Sequence, residues 1–137
     1  MRIMGIDYGD ARTGVAISDQ LSSIVGSTAV VPSRHTEKAL ADIVRMAKEN
    51  QVGEIVVGLP RNMDGTEGVR AELCRGFADK LREATGLPVT MWDERRTTVE
   101  AHNILSQHNY HGKKRKDTVD AVAASLILEG YLAFRKR

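Results

Sequence analysis

MRIMGIDYGDARTGVAISD, residues 1–19, runs apolar from Ile3 to Ile6 and then places a carboxylate at Asp7. A short unbroken apolar run is the pattern of a strand buried on both faces. An acid closing such a run is costly unless a cation or a hydrogen-bonding partner compensates it. Gly9, Asp10, Ala11 and Arg12 supply turn residues, and Thr13 to Ser18 alternates enough to return as an antiparallel partner. A third strand is expected over residues 27–31, ended by Pro32. The chain thus opens as a three-stranded meander with an acid at the outgoing end of its first strand.

Downstream the period changes. Ala39, Leu40, Ile43, Val44 and Ala47 recur at helical spacing and predict a helix over residues 36–49. Residues 54–59 form an apolar run of strand length, stopped by Pro60, and a polar loop at 61–65 leads into a helix over 66–84. The core stripe expected of that helix is Val69, Leu73, Phe77 and Leu81, with Gly86 just past its end. A strand over 89–92 follows, with Trp92 read as a core residue rather than a base-stacking platform. Thr97 and Glu100 have capping-box spacing and mark a short helix from about Thr98. Residues 106–116 lack periodicity and read as a polar, mobile loop. The last helix is expected from about Thr118 to Phe134, with Val119, Val122, Ala123, Leu126, Ile127 and Tyr131 inward. A meander followed by alternating helices and strands implies an α/β fold, a mixed five-stranded sheet flanked by helices on both faces.

A length of 137 residues suits one domain spanning residues 1–137 and can support a real core. No apolar stretch is long enough to span a bilayer, the N-terminus lacks the basic-then-apolar layout of a signal peptide, and Cys74 stands alone. These features predict a cytoplasmic protein without membrane partners, disulfides or a thiolate metal centre. The net charge of +2 is unevenly spread. Residues 113–137 carry seven Lys/Arg against three Asp/Glu, a net of +4, and the remainder carries 13 against 15, a net of −2. The run Lys113, Lys114, Arg115, Lys116 is either a solvated face or a phosphate-contacting patch.

Two further acids repeat the situation of Asp7. Glu94 closes the apolar run before it, and Asp120 opens the apolar face of the last helix. Three acids delivered to element ends point to a divalent-metal site. Phosphodiester hydrolysis needs an activated water, an in-line leaving oxygen and charge compensation at phosphorus, and a pair of divalent ions supplies all three. Mg²⁺ or Mn²⁺, hard cations that keep several waters, would be served by three or four carboxylates. Asp93, next to Glu94, should point to the opposite side of its strand and is left outside the set. Arg12, Arg61, Arg95 and Arg96 fall in loops or element ends on the same side and suit bidentate phosphate contact, with surface salt bridges as the ordinary alternative. Gly58, Gly65 and Gly68 mark turns or close approaches, and His108 and His111 read as ordinary loop histidines.

GIDYGDARTGVAISD, VGLPRNMDGTEG, DERRTT and VDAVAASLIL, in this order, resemble the four signatures of the YqgF family, from Arg2 to about Tyr131. That family comprises bacterial proteins described as Holliday junction resolvases and as pre-16S rRNA nucleases. The resemblance implies a ribonuclease H-like fold, a nuclease activity and acidic site positions at Asp7, Glu94 and Asp120. Asp117 makes a D-x-x-D pair with Asp120, as in the related RuvC resolvases, and is therefore a further candidate ligand; a helix cap is its alternative role.

The expected substrate is structured nucleic acid, with precursor rRNA and its ribosomal particles preferred over branched DNA. Two ions are expected with substrate bound, and a monomer or weak homodimer as the working form. Junction resolution is the rival, since it demands two sites across a two-fold axis. A non-catalytic nucleic-acid-binding module is more remote, because all three acids are retained. The D-Y-G with Gly14 is also similar to the phosphate hairpin of the actin and hexokinase superfamily, whose members enclose nucleotide between two such domains where this length provides one.

Overall fold

The computed structural model describes residues 1–93 and 112–136, with side chains from residue 119 onward in the second stretch. Its elements are β1 (Arg2–Asp7), β2 (Arg12–Ser18), β3 (Val25–Pro32), α1 (Thr36–Glu49), β4 (Val52–Leu59), α2 (Val69–Thr85), β5 (Val89–Asp93) and α3 (Gly112–Arg135). The helix expected from Thr98, its Thr97 and Glu100 signal, and residues 106–111 lie outside the described residues.

Five strands form one mixed sheet in the order β3-β2-β1-β4-β5. The meander pairs antiparallel, whereas β1, β4 and β5 run parallel. Ile6 lies level with Val57, and Val57 with Met91, so β1, β4 and β5 all finish on one edge of the sheet. In open sheets with parallel strands, that carboxyl edge is where ligands bind.

Alternation along the strands divides the core into two layers. Met4, Ile6, Val15, Ile17, Ile55 and Val57 face α1 and α2. Ile3, Ala16 and Val56 face α3, against Ala124, Ile127, Leu128, Tyr131 and Leu132. Asp7 shares the Ile3 and Gly5 face, so it is aimed at α3. Along β5, Met91 packs in the α2 layer and Trp92 in the α3 layer, which puts Asp93 on the face opposite to Asp7. Trp92 is a packing residue as expected, meeting Tyr131 and Phe134 edge-on at 5.9 and 5.7 Å.

Glycines let α3 lie unusually close to the sheet. A Cβ on Gly5 would meet the Leu128 Cβ at 2.9 Å, and one on Gly14 would meet the Asp120 carbonyl at 2.0 Å. This seating turns the helix somewhat relative to the expected face: Ala123, Ile127 and Tyr131 are buried as expected and are joined by Ala124, Leu128 and Leu132, while Val119, Val122 and Leu126 are half-buried. The helix also begins at Gly112, so Lys113 to Lys116 belong to its first turns and not to a loop. Lys and Arg are good helix formers, and a charge run without apolar members hides that propensity from a periodicity reading.

α2 departs from expectation in phase as well. Val69 is 72% exposed and Leu73 45%, whereas Phe77 and Leu81 are buried as expected and are joined by Ala71, Cys74 and Ala78. Small residues bring the helix axis close to the sheet, and the larger apolar side chains at its start are left in solvent. The helix ends as expected, with Gly86 at φ 70 donating its N–H to the Arg82 carbonyl. Among the described residues, no helix is long and apolar enough to cross a membrane.

Candidate active site

Asp7 ends β1 directly opposite Gly14 of β2. Because Gly14 has no side chain, the backbone of Asp120 settles against it. The absent Cβ thereby brings an acid from the last helix beside an acid on the first strand. The consequence is electrostatic: burial, and then the nearby Asp120 carboxylate, push the Asp7 carboxyl from 3.8 to about 7, with Arg70 pulling the other way. Arg12, at the start of β2, donates from Nε to Asp120 Oδ2 at 3.1 Å and so ties the far helix to the hairpin.

The hairpin that presents these groups is braced from below. Gly9 N–H donates to Thr13 Oγ1 at 3.3 Å, Ser33 Oγ donates to the Gly9 carbonyl, and Ser33 N–H donates to the Ala11 carbonyl at 3.0 Å. Thr13 and Ser33 are buried, so these bonds are shielded from water. A Cβ on Gly9 would lie 2.3 Å from the Arg12 carbonyl, which makes this turn a glycine position. Tyr8 leaves the strand on the other face and stacks on Phe77 of α2, with ring centroids 4.2 Å apart.

Arg70 is the site-side residue that sequence reasoning missed. From the first turn of α2 it donates to the Tyr8 carbonyl at 2.5 Å and to Asp10 Oδ1 at 2.6 Å, and its guanidinium lies 5.6 Å from the centre of the Tyr8 ring. The available signal was its position. A cation in the first turn opposes the helix dipole, so something else must hold it there.

The other expected residues divide into three groups. Arg61 lies on the loop after β4 and pairs with Glu67 at 3.6 Å; Glu67 also accepts two bonds of 2.9 Å from Arg75. Gly65 turns that loop with φ 89, and Asp64 accepts from the Thr66 N–H and hydroxyl. Glu94, Arg95, Arg96, His108 and His111 lie outside the described residues. Lys113, Lys114, Arg115, Lys116 and Asp117 are placed by their backbone only. Because α3 starts at Gly112, Asp117 is inside the helix, so the alternative of a helix cap falls. It sits three residues before Asp120, on a neighbouring position of the same face.

Asp7 and Asp120 offer hard oxygen donors whose mutual repulsion a divalent cation would relieve, so the pair fits such an ion. Among the described residues no group of three or more His, Cys, Asp or Glu side chains is gathered tightly enough to hold a metal by itself. The chain leaves β5 at Asp93 on the same edge as Asp7, and the next residue is Glu94.

A family model described as RuvX: Holliday junction resolvase matches residues 1–134. A protein of Halothermothrix orenii named "Putative pre-16S rRNA nuclease" is 47% identical over 137 residues, covering 100% of this chain and 98% of that one. A protein of the same name from Carboxydothermus hydrogenoformans is 41% identical over 137 residues, covering 100% and 99%. Among solved structures, Thermus thermophilus RuvC in complex with a Holliday junction substrate superposes with a TM-score of 0.58 at 15% identity, over 99% of this chain and 96% of that one. The fowlpox virus Holliday junction resolvase gives 0.62 at 13% identity, over 98% and 99%. At such identities the structures speak for the fold, which is the expected ribonuclease H-like one. With the family model spanning residues 1–134 and full-length relatives above 40% identity, this chain belongs to the RuvX (YqgF) family.

Proposed function

We propose that this protein is a divalent-metal-dependent nuclease that hydrolyses phosphodiester bonds of structured RNA, with precursor 16S rRNA in assembling ribosomal particles as its substrate. Asp7, Glu94 and Asp120 are its catalytic carboxylates, and Asp117 is a further ligand candidate. The observation that carries the reading is the meeting of Asp7 and Asp120 across Gly14, on the carboxyl edge of the sheet. The names of the full-length relatives support the choice of rRNA. Such a substrate places the work in the cytoplasm.

Bound Mg²⁺ or Mn²⁺, two ions when substrate is present, would compensate charge at phosphorus and acidify a water. The chain's own residues do the rest. Asp7 ends a central strand with neighbours on both sides, so its backbone is held in place. Asp120 is held by its backbone seat on Gly14 and by the Arg12 guanidinium. Arg12 is half-exposed, close to the acid pair, and suited to neutralise a phosphate that approaches it. Lys113 to Lys116, in the first turns of the same helix, add a sequence-independent attraction for the backbone of the nucleic acid.

Cleavage mapping on end-labelled precursor rRNA and on a four-way DNA junction, with Mg²⁺ or Mn²⁺ supplied, tests the reading. Metal-dependent cutting of the RNA that disappears in Asp7→Asn and Asp120→Asn supports it. One observation favours the second reading, junction resolution: Val69 and Leu73 are exposed on α2, and an apolar strip of this kind suits a two-fold dimer. A tight dimer by sedimentation that cuts the junction symmetrically and ignores the RNA would replace the first reading with the second.

A further inference from the structure

Arg70 stands apart from the signature acids, yet α2 delivers it to their edge of the sheet, close enough to act on the Asp7 charge. Its contacts are of two kinds. The Tyr8 carbonyl and the Tyr8 ring are fixed parts of the protein, because Tyr8 is stacked on the buried Phe77. These hold the guanidinium and set its direction. The third contact is different. The Asp10 side chain is 83% exposed and reaches Nη1 from the tip of the β1–β2 turn.

An ion pair whose acid stands in water contributes little to folding and is readily exchanged. The arginine fork takes carboxylates and phosphates by the same geometry, so a phosphodiester competes directly for the place Asp10 holds. Helix stability does not explain the arginine either, since its charge opposes the dipole at this end of α2. We propose that Arg70 binds a phosphodiester of the nucleic-acid substrate, and that Asp10 occupies its outward Nη1 until that phosphate displaces it. The class of ligand rests on the nuclease reading above. The pairing also makes the site self-screened: a weakly held carboxylate is exchanged by a polyanion that gains further contacts nearby, and resists single small anions.

The test is binding of a fluorescein-labelled single-stranded oligoribonucleotide, followed by anisotropy across a salt series. All proteins carry Asp7→Asn so that the RNA stays intact, and the unmodified chain is assayed for cleavage in parallel. Arg70→Ala should weaken binding about tenfold and reduce the slope of log affinity against log salt by about 0.7, the share of one phosphate on a single strand. Arg70→Lys should keep the slope and recover part of the affinity, because the charge remains and the fork is lost. Asp10→Asn should tighten binding several-fold, and this gain should vanish when it is combined with Arg70→Ala.

Asp10→Asn that weakens binding as much as Arg70→Ala would make the pair a structural clamp and overturn the proposal. So would a gain that survives in the double variant, which is a net-charge effect, or unchanged affinity in both Arg70 variants. Absence of RNA binding by the parent protein overturns it too. If the Asp7→Asn proteins bind with this pattern but the unmodified chain cuts nothing when Mg²⁺ or Mn²⁺ is supplied, the nuclease reading fails and the assignment of Arg70 stands.

Discussion

Replacing Asp7 by Asn should make the protein more stable while abolishing cleavage. The folded protein holds this carboxyl at about 7 against an ordinary 3.8. At about 1.36 kcal/mol for each pH unit, ionising it in place costs about 4 kcal/mol. The folded state therefore binds the proton more tightly than the unfolded chain. The penalty is nearly absent below pH 4, builds between pH 4 and 7, and is complete above pH 7. Asn keeps the shape without the charge, so Asp7→Asn should gain about 2–4 kcal/mol at pH 8, the lower figure allowing for burial of the amide. Urea denaturation with a slope of about 1.5 kcal/mol per molar would show this as a rise in midpoint of about 1–3 M. At pH 4 the difference should shrink below about 1 kcal/mol. Millimolar Mn²⁺ should narrow the gap at pH 8 by stabilising only the parent, through binding to its folded state. A less stable Asp7→Asn protein at pH 8, or a difference that ignores pH, would refute the account of Asp7 as a strained, ion-ready carboxylate.

Gly14→Ala should destabilise by about 1–3 kcal/mol, the range for overpacking, and impair cleavage by driving Asp120 away from Asp7. Gly76→Ala, on the open face of α2 with nothing near its Cβ, should instead stabilise by about 0.5–1 kcal/mol, and urea melts of the two variants will show the opposite signs. Apparent Mn²⁺ affinity, measured by titration calorimetry from pH 5.5 to 8.5, should fall up to about tenfold per pH unit below 7 and level off above it, because the ion must displace the Asp7 proton. Affinity that is flat across this range would remove Asp7 from the ion's ligands. Neutralising Lys113, Lys114, Arg115 and Lys116 together should weaken nucleic-acid binding across sequences and flatten its salt dependence; an unchanged slope would reduce this run to a solvated helix start.

The strands and the meander were legible because apolar runs such as Ile3 to Ile6 carry their own signal, and a hairpin turn of Gly9 to Arg12 leaves little choice of topology. Asp7 and Asp120 were legible as a pair through their motifs. What the sequence hid lies in its smallest side chains. Ala71, Cys74 and Ala78 bury α2, and Ala124 helps to bury α3, yet small residues weigh little in a periodicity count beside Val69 or Leu73. Burial of small residues is decided by what faces them, for Ala124 the glycines Gly5 and Gly14 more than 100 positions away, which no local window can see. Arg70 escaped for a related reason: its partners Tyr8 and Asp10 are some 60 positions away, so only the fold makes it a neighbour of Asp7.

The seat of α3 on Gly14 also sets an order of events during synthesis. Asp7 is made among the first residues, but its counterpart at Asp120 arrives only after all five strands have been translated, and the Arg12 bond to it spans 108 positions. A nascent chain that has completed the sheet still exposes Ile3, Ala16 and Val56 on the layer that α3 covers. It also holds Asp7 without the acid that faces it. For a nuclease made in the company of RNA, on the ribosome itself, the proposed role of Asp7 and Asp120 gives this arrangement a safeguard: the two acids are brought together by the same helix that closes the core, so cutting competence and completed folding would arrive together.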